Sequence, residues 1–431
     1  MTLACCVTVY GQPAANKLTL HDALTRALEV NEQVERSREE IGAAEANKKY
    51  IFSQVLPRVN VTGATQKNTT EVSFGSGSDA RVILPGTDWN YRLVLSQPVY
   101  AGNRDRQAYE QAKIGIRNAR EGVRGTEDAV LLRVASNYLA IVDADRSIEV
   151  EKHNIALAEK RQKQATAFYQ AGETTKVDVL RAETAIKAAQ RALAVAQQSR
   201  ATAEGRLRAD LDLDGTVDVV DPGQVLPPLP DETVLVERAQ STRPDITTAT
   251  NNVRSAALEI KKQKGFWLPV VTFEAGYLNQ KAAFPASHYG YGKFNFTIPV
   301  WQSGEVQARV AGAKERELQA KSTLDEAKIG AREDVHRALV DLQTAATSLT
   351  LANEQLTAAE AEYSQAFELY RAQEATSLDV ATSEQSLAEA RRAVAAETLN
   401  RDLAELRVWY AAGALKEAVG VAATNMSGAT R

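Results

Sequence analysis

Phe168-Tyr169-Gln170-Ala171-Gly172-Glu173-Thr174-Thr175-Lys176-Val177-Asp178-Val179 has a second copy 201 residues later. There the chain reads Leu369-Tyr370-Arg371-Ala372-Gln373-Glu374-Ala375-Thr376-Ser377-Leu378-Asp379-Val380. Pro98-Val99-Tyr100 matches Pro299-Val300-Trp301 at the same offset of 201. Further upstream, Leu56-Pro57 matches Leu268-Pro269 and Val34 matches Ile246, both at an offset of 212. The 11 extra residues fall between Pro57 and Pro98, where Gly75-Ser76-Gly77-Ser78 reads as a longer loop. The chain is a tandem repeat, and the two halves carry one order of elements.

Each half reads helix, strand, loop, strand, very long helix, turn, long helix. The spacing predicts a first helix near Thr19–Phe52 and its repeat near Glu232–Phe266. Leu-Pro ends each one, because a residue before proline is pushed out of the helical region. In the strands, Trp89, Tyr91, Leu93 and Leu95 alternate with Asn90, Arg92, Val94 and Ser96. Val271, Phe273, Ala275 and Tyr277 alternate with Thr272, Glu274 and Gly276. Phe294, Phe296 and Ile298 alternate with Lys293, Asn295 and Thr297, and Val59 with Val61 continues the pattern more weakly. Period two with one apolar and one polar face predicts a sheet wet on one side only.

The helices follow strict sevens. Leu342, Leu349, Leu356, Tyr363 and Tyr370 form one seam, with Ala345, Ala352, Ala359 and Ala366 as a second. In the first half Ile141, Ile148, Ile155 and Tyr169 hold the equivalent places, beside Ala144, Ala158 and Ala165; Gln162 and Glu151 interrupt. The partner helices repeat it, with Val179, Ile186 and Leu193 beside Ala182, Ala189, Ala196 and Ala203, then Val380, Leu387 and Val394. A period of 3.5 gives left-handed coiled-coil packing, and alanine in one seam lets helices approach closely. The stretch from Gly102 to Tyr169 would span about 100 Å as a helix.

Composition narrows the class. Ala, Glu, Lys, Leu and Arg make up about 45% of the chain, near the value that marks coiled coils and long helices. Alanine alone occurs 71 times in 431 residues, against 24 glycines and 12 prolines. Disorder, collagen and a disulfide-rich scaffold are thereby excluded. A net charge of −4 argues against a nucleic-acid partner held by phosphate contacts. No stretch reaches the ~18 apolar residues of a spanning helix, so a membrane role requires a β-barrel.

Leu3 to Val9 is a short apolar run holding both cysteines, Cys5 and Cys6. Val9-Tyr10-Gly11 resembles a signal-peptidase site, although the basic region that should precede the run is missing. The reading is a signal-peptide remnant; a frayed terminus is the alternative. Thr2-Leu3-Ala4-Cys5 makes a poor lipobox.

Each chain offers four strands, and a barrel needs about eight, so several chains must share one barrel; three would give twelve strands. The repeated Leu-Pro before a strand, the Pro-Val-aromatic turns at Pro98–Gly102 and Pro299–Gly304, and the repeated Asp-Val after each hairpin turn resemble the TolC family of outer-membrane efflux proteins. The resemblance covers about residues 18–412. It implies an α+β membrane protein, a homotrimer forming a 12-stranded β-barrel on an α-helical barrel, in the outer membrane and extending into the periplasm. The domain plan is residues 1–17 as remnant and tail, 18–212 as first repeat, 213–231 as equatorial linker, 232–412 as second repeat and 413–431 as C-terminal tail. The function implied is passive conduction as the exit duct of a tripartite efflux or type I secretion system. The partners implied are outer-membrane lipid, a periplasmic adaptor and an inner-membrane pump, with no cofactor.

The helical tips near Ala171–Thr175 and Ala372–Thr376 would close the idle pore and dock the adaptor, through Gly172, Thr174, Thr175, Gln373 and Thr376. Asp178 and Asp379 have two readings. Rings of three carboxylates would select cations at the constriction. Alternatively, Thr175-x-x-Asp178 and Thr376-x-x-Asp379 are capping boxes. Family members place a second acid where this chain has Thr382 and an arginine where it has Ala375; Arg181 is the substitute partner for Asp178. Tyr370 matches a tyrosine of the family's closing network, or is simply the last core residue of its seam. Gly172 matches the family's tip glycine, which Gln373 replaces in the second half.

Asp210, Asp212, Asp214, Asp218 and Asp221 satisfy the acidic spacing of a calcium loop with Gly215 in place, but Pro222 follows where a helix should start. The alternative is a helix end and an acidic linker. Enzyme motifs are absent. Gly75-Ser76-Gly77 lies between strands, not before a helix. The four histidines, His21, His153, His288 and His336, lack ligand spacing. A soluble coiled-coil scaffold is the competing reading; it leaves the four mirrored strands unexplained.

Overall fold

The structure, a computed structural model, describes residues 17–75, 77, 81–223, 226–282 and 286–421. The segment around Cys5 and Cys6 lies outside the described residues. The chain divides into two compact units, each drawing on both repeats. One takes the stretch up to Ser37, Val123–Pro244 and everything from Lys328 onward; the other takes Arg38–Gly122 and Asp245–Ala327.

The second unit holds the sheet. Strands β1 (Arg58–Lys67), β4 (Thr87–Ala101), β5 (Val270–Gln280) and β6 (His288–Thr297) pair antiparallel in that order. The loop expected between β1 and β4 contains a separate hairpin, β2 (Val72–Phe74) with β3 (Arg81–Leu84). Register puts Val61, Leu93, Tyr277 and Gly290 in one row, and Leu95, Ala275 and Gly292 in the next on that face. The Phe273 and Phe294 rings on this face lie 5.0 Å apart. The opposite face carries Arg58, Ser96, Glu274 and Lys293 in one row, and Thr62, Arg92, Leu278 and Tyr289 in another. The expected alternation is therefore present strand by strand. Val61 is 73% exposed and Phe296 68%, so the apolar face has no protein layer over it. β1 and β6 have one neighbour each and leave two open edges.

Where β4 turns into the long helix, Gly102 adopts φ +66°. A Cβ on Gly102 would strike the Gly265 carbonyl oxygen, and one on Gly265 would strike the Gly102 carbonyl oxygen. Beside them two guanidinium groups lie over the Phe266 ring, Arg104 at 4.3 Å and Arg309 at 4.8 Å from its centre. Such cation–π contacts are worth about 0.5–2 kcal/mol each.

The helices are α1 (Leu20–Val30), α2 (Glu32–Ser53), α3 (Arg104–Gln170), α4 (Lys176–Leu211), α5 (Glu232–Thr242), α6 (Pro244–Lys264), α7 (Glu305–Arg371), α8 (Ser377–Ala411) and α9 (Leu415–Ala418). α3 and α7 are each 67 residues long, as the heptads require. The first helix of each repeat is not continuous, contrary to expectation. Asn31 breaks one: its Oδ1 accepts the Gln33 N–H at 3.0 Å, and its Nδ2 donates to the Asp210 carbonyl at 3.2 Å. Arg243 breaks the other, extended at ψ 131° because Pro244 follows.

The heptads set the helical packing of the first unit. Ala158 and Ala165 are 1% exposed, and Ala345, Ala352 and Ala359 are buried, whereas Leu342, Leu349 and Leu356 are only half-buried. Tyr169, expected in the apolar seam, is 46% exposed; its neighbour Phe168 turns inward and meets Tyr370 edge-on at 5.4 Å. Fully buried Tyr138 ties the N-terminal segment to the linker. Its hydroxyl lies 2.8 Å from the Leu18 carbonyl and 2.6 Å from the Val220 carbonyl, and it accepts the Val220 N–H at 3.1 Å.

Gly265→Ala is expected to destabilise the protein by about 1–3 kcal/mol, because the methyl group meets backbone that cannot yield. A lowered thermal midpoint would show it; an unchanged midpoint would mean the close glycine contact is not required.

Candidate functional site

The two hairpin tips are built on one backbone plan. After α3, the Glu173 N–H bonds the Phe168 carbonyl at 2.9 Å and the Gly172 N–H bonds Tyr169 at 3.1 Å. After α7, Glu374 bonds Leu369 at 2.9 Å and Gln373 bonds Tyr370 at 3.1 Å. Both are Schellman endings, which need a left-handed residue. Gly172 supplies it at φ +79°, but in the second repeat Gln373 does so at φ +64°. A side chain there costs about 1–2 kcal/mol. Gln373 Nε2 donates to Glu173 Oε2 at 2.6 Å, which joins the two tips.

The two aspartates differ. At Asp379 the capping box is complete: its N–H donates to Thr376 Oγ1 at 3.3 Å, and its Oδ2 accepts the Thr376 N–H at 2.9 Å. At Asp178 the expected box does not form. Thr175 makes no cap bond through its side chain. Instead Asp178 Oδ2 accepts the hydroxyls of Thr174 at 2.6 Å and Thr175 at 3.1 Å, and Oδ1 faces Arg181 Nη1 at 3.4 Å. Hydrogen bonding holds both carboxyls below the ordinary aspartate range, from the Thr174 hydroxyl first at Asp178 and the Thr376 hydroxyl first at Asp379. Tyr370 is 5% exposed, packed with Phe367, Val380 and Leu387. Among the described residues its hydroxyl meets no partner of full hydrogen-bond geometry; burial pushes its pKa up and the charge of Asp178 adds to the shift, while the nearby Ser377 hydroxyl lowers it. Thr382 is exposed and donates to the Leu378 carbonyl at 3.0 Å. Phe168, Thr174, Asp178, Arg181, Tyr370 and Ser377 share a recess of about 400 Å³.

Two ion pairs between the repeats were not identified from sequence. Arg161 Nη1 of α3 meets Glu384 Oε2 of α8 at 2.7 Å, with side chains 5% and 11% exposed. Glu151 of α3, 4% exposed, accepts Arg392 of α8 at 2.5 and 3.0 Å. The signal for the second was present: Glu151 interrupts an apolar heptad seam. Burial raises the Glu384 pKa against the pull of Arg161, and pushes Tyr363 nearby up to about 12.

The acidic linker does not gather. Asp210 accepts Arg133 at 2.9 Å and Asn137 at 2.8 Å, Asp218 faces Arg200 at 3.3 Å, and Asp221 faces Arg146 at 2.5 Å. Asp212 caps α4 in the left-handed region. Among the described residues no three acidic, histidine or cysteine side chains, Asp214 included, are placed to hold a metal. The geometry matches a helix end followed by a strapped linker.

Residues 23–211 and 235–414 match the model of a family described as outer membrane efflux protein. The outer membrane efflux protein BepC of Brucella suis biovar 1 (strain 1330) is 23% identical over 390 residues, covering 88% of this chain and 82% of that protein. Among solved structures, CusC aligns with a TM-score of 0.79 at 18% identity, over 94% of this chain and 95% of the other. The open state of the MtrE outer membrane channel of Neisseria gonorrhoeae aligns at 0.77 and 18% identity, over 92% of this chain and 89% of that one.

Two outcomes follow for the site. Arg161→Ala leaves Glu384 buried and unpaired, and is expected to cost about 3–5 kcal/mol by thermal unfolding; no change would mean that water reaches the pair. Asp379 has a depressed folded pKa, so its contribution is present above the unfolded value near 3.9 and is lost as pH falls through the folded value. Hydrogen-exchange protection over residues 372–384 should therefore drop in that acid window, and Asp379→Asn should remove the step.

Proposed function

The chain belongs to the outer membrane efflux protein family, and from that premise we propose that it is the exit duct of a tripartite efflux or type I secretion system. It works as a homotrimer and docks onto a periplasmic adaptor coupled to an inner-membrane pump. The observation that carries this is the sheet: one face apolar and uncovered, two edges open. In hydrocarbon every backbone N–H and C=O must be bonded, so an open edge has to find another strand. Three copies of four strands reach twelve, enough to close around a polar lumen. Transport is passive, with the energy supplied by the pump.

Asp178 and Asp379 line the constriction at the helical tips, where rings of three carboxylates attract cations. Arg181 is the partner of Asp178, Tyr370 belongs to the network that closes the tips, and Thr382 leaves the inner ring less acidic. The adaptor meets the turn residues Gly172, Thr174, Thr175, Gln373 and Thr376. A recess of about 670 Å³ between α4 and α8, walled by Ala185, Ala188, Ala192 and Ala388, adds a groove beside the tips.

The test is to extract the protein from outer membranes and measure particle mass and single-channel conductance in planar bilayers. Three protomer masses with a cation-preferring conductance are expected, and Asp379→Ala should raise that conductance and weaken the preference. A monomer without bilayer activity would overturn the duct and leave the coiled-coil scaffold.

A further inference from the structure

The polar face of the sheet is not evenly charged. In the paired strands it carries Arg58, Arg92 and Lys293 against Asp88 and Glu274. Glu274 is fully engaged. It accepts the Tyr291 hydroxyl at 2.7 Å, faces Lys293 at 3.4 Å and accepts Asn295 at 3.5 Å. Lys293 is thereby neutralised, and Arg58 is turned to the side chain of Gln54.

Arg92 is different. Its row neighbours are Thr62, Leu278 and Tyr289, none of them charged. Along its own strand the next residues on the same face are Asn90 and Val94. Among the described residues it has no carboxylate partner. The nearest acids in the register, Asp88 and Glu274, lie four residues off along the strands, about 13 Å between backbones at ~3.3 Å per residue. Neither forms an ion pair with Arg92, whose charge instead acts on the Tyr291 hydroxyl.

We propose that Arg92 makes the barrel lumen an anion-attracting exit, opposite in sign to the carboxylates at the helical tips. The proposal rests on the duct reading, which turns this face into the pore lining. Three copies place three arginines at one level of a low-dielectric wall, and such a ring focuses the field across the lumen. The exit draws anionic or carboxylate-bearing cargo forward and slows the entry of small cations from outside. The tips and the exit would then discriminate separately.

The experiment uses the full-length protein in planar bilayers, with hexacyanoferrate as a compact multivalent anion added on the side the barrel faces. Wild-type channels should show voltage-dependent block. Arg92→Lys should keep it, and Arg92→Gln should need roughly tenfold more anion for half-block, as loss of a ring of charge predicts. In a potassium chloride gradient, Arg92→Gln should also shift the reversal potential toward cation preference. Equal block in wild type and Arg92→Gln, or no block in wild type, would overturn the exit's charge while leaving the duct intact. Failure of the wild-type protein to form any channel would overturn the duct itself, and this proposal with it.

Discussion

Backbone hydrogen bonding in hydrocarbon is the constraint on which the rest depends. A sheet with Val61 and Phe296 exposed on one face suits lipid, but β1 and β6 each end it with a row of unbonded N–H and C=O groups. Water could satisfy those edges; lipid cannot. Within the chain the same requirement explains why the repeats meet in the sheet. β4 of the first repeat pairs with β5 of the second along the length of both strands, so two two-stranded hairpins become one surface. The glycine contact at Gly102 and Gly265 and the contacts of Arg104 and Arg309 with Phe266 then hold the strand ends where the long helices begin.

The helical unit answers a different demand. Alanine seams allow backbones to come close, and closeness is repaid in dispersion contacts rather than in large side chains. Along one seam the buried positions of α3 and α7 are accordingly alanines, Ala158, Ala165, Ala345, Ala352 and Ala359, with Leu342, Leu349 and Leu356 half in solvent, whereas nearer the linker α3 buries Leu131, Tyr138, Leu139 and Ile141. Into this packing the chain admits one buried ion pair, Arg161–Glu384, and a second, Glu151–Arg392, in which only the glutamate is buried. Buried pairs are weak contributors to stability but heavy penalties when mismatched. They therefore specify how α3 lies on α8, and with the Glu173–Gln373 bond they tie one hairpin to the other.

Much of the architecture was legible in the letters. The 201-residue offset located both tips, and alternation located four strands and both of their faces. The tip aspartates were legible as a pair but not as two different environments. Asp379 completes a capping box, whereas Asp178 is claimed by Thr174, a neighbour that lies outside the motif. The partner of Glu151 was beyond reach because Arg392 is 241 residues away. Tyr169 and Phe168 are adjacent, and heptad counting chose the wrong one of the two.

The sequence by itself determined the repeat, the secondary structure periods and the sidedness of the sheet, because each is written in spacing between near neighbours. Tertiary structure decided which seam lies deepest, where α1 and α2 part at Asn31, and which charges are buried. Those depend on how closely two helices approach and on which distant group, such as the Asp210 carbonyl beside Asn31, competes for a hydrogen bond. Local spacing cannot encode that competition, since its outcome is set by residues brought together only after the chain has folded.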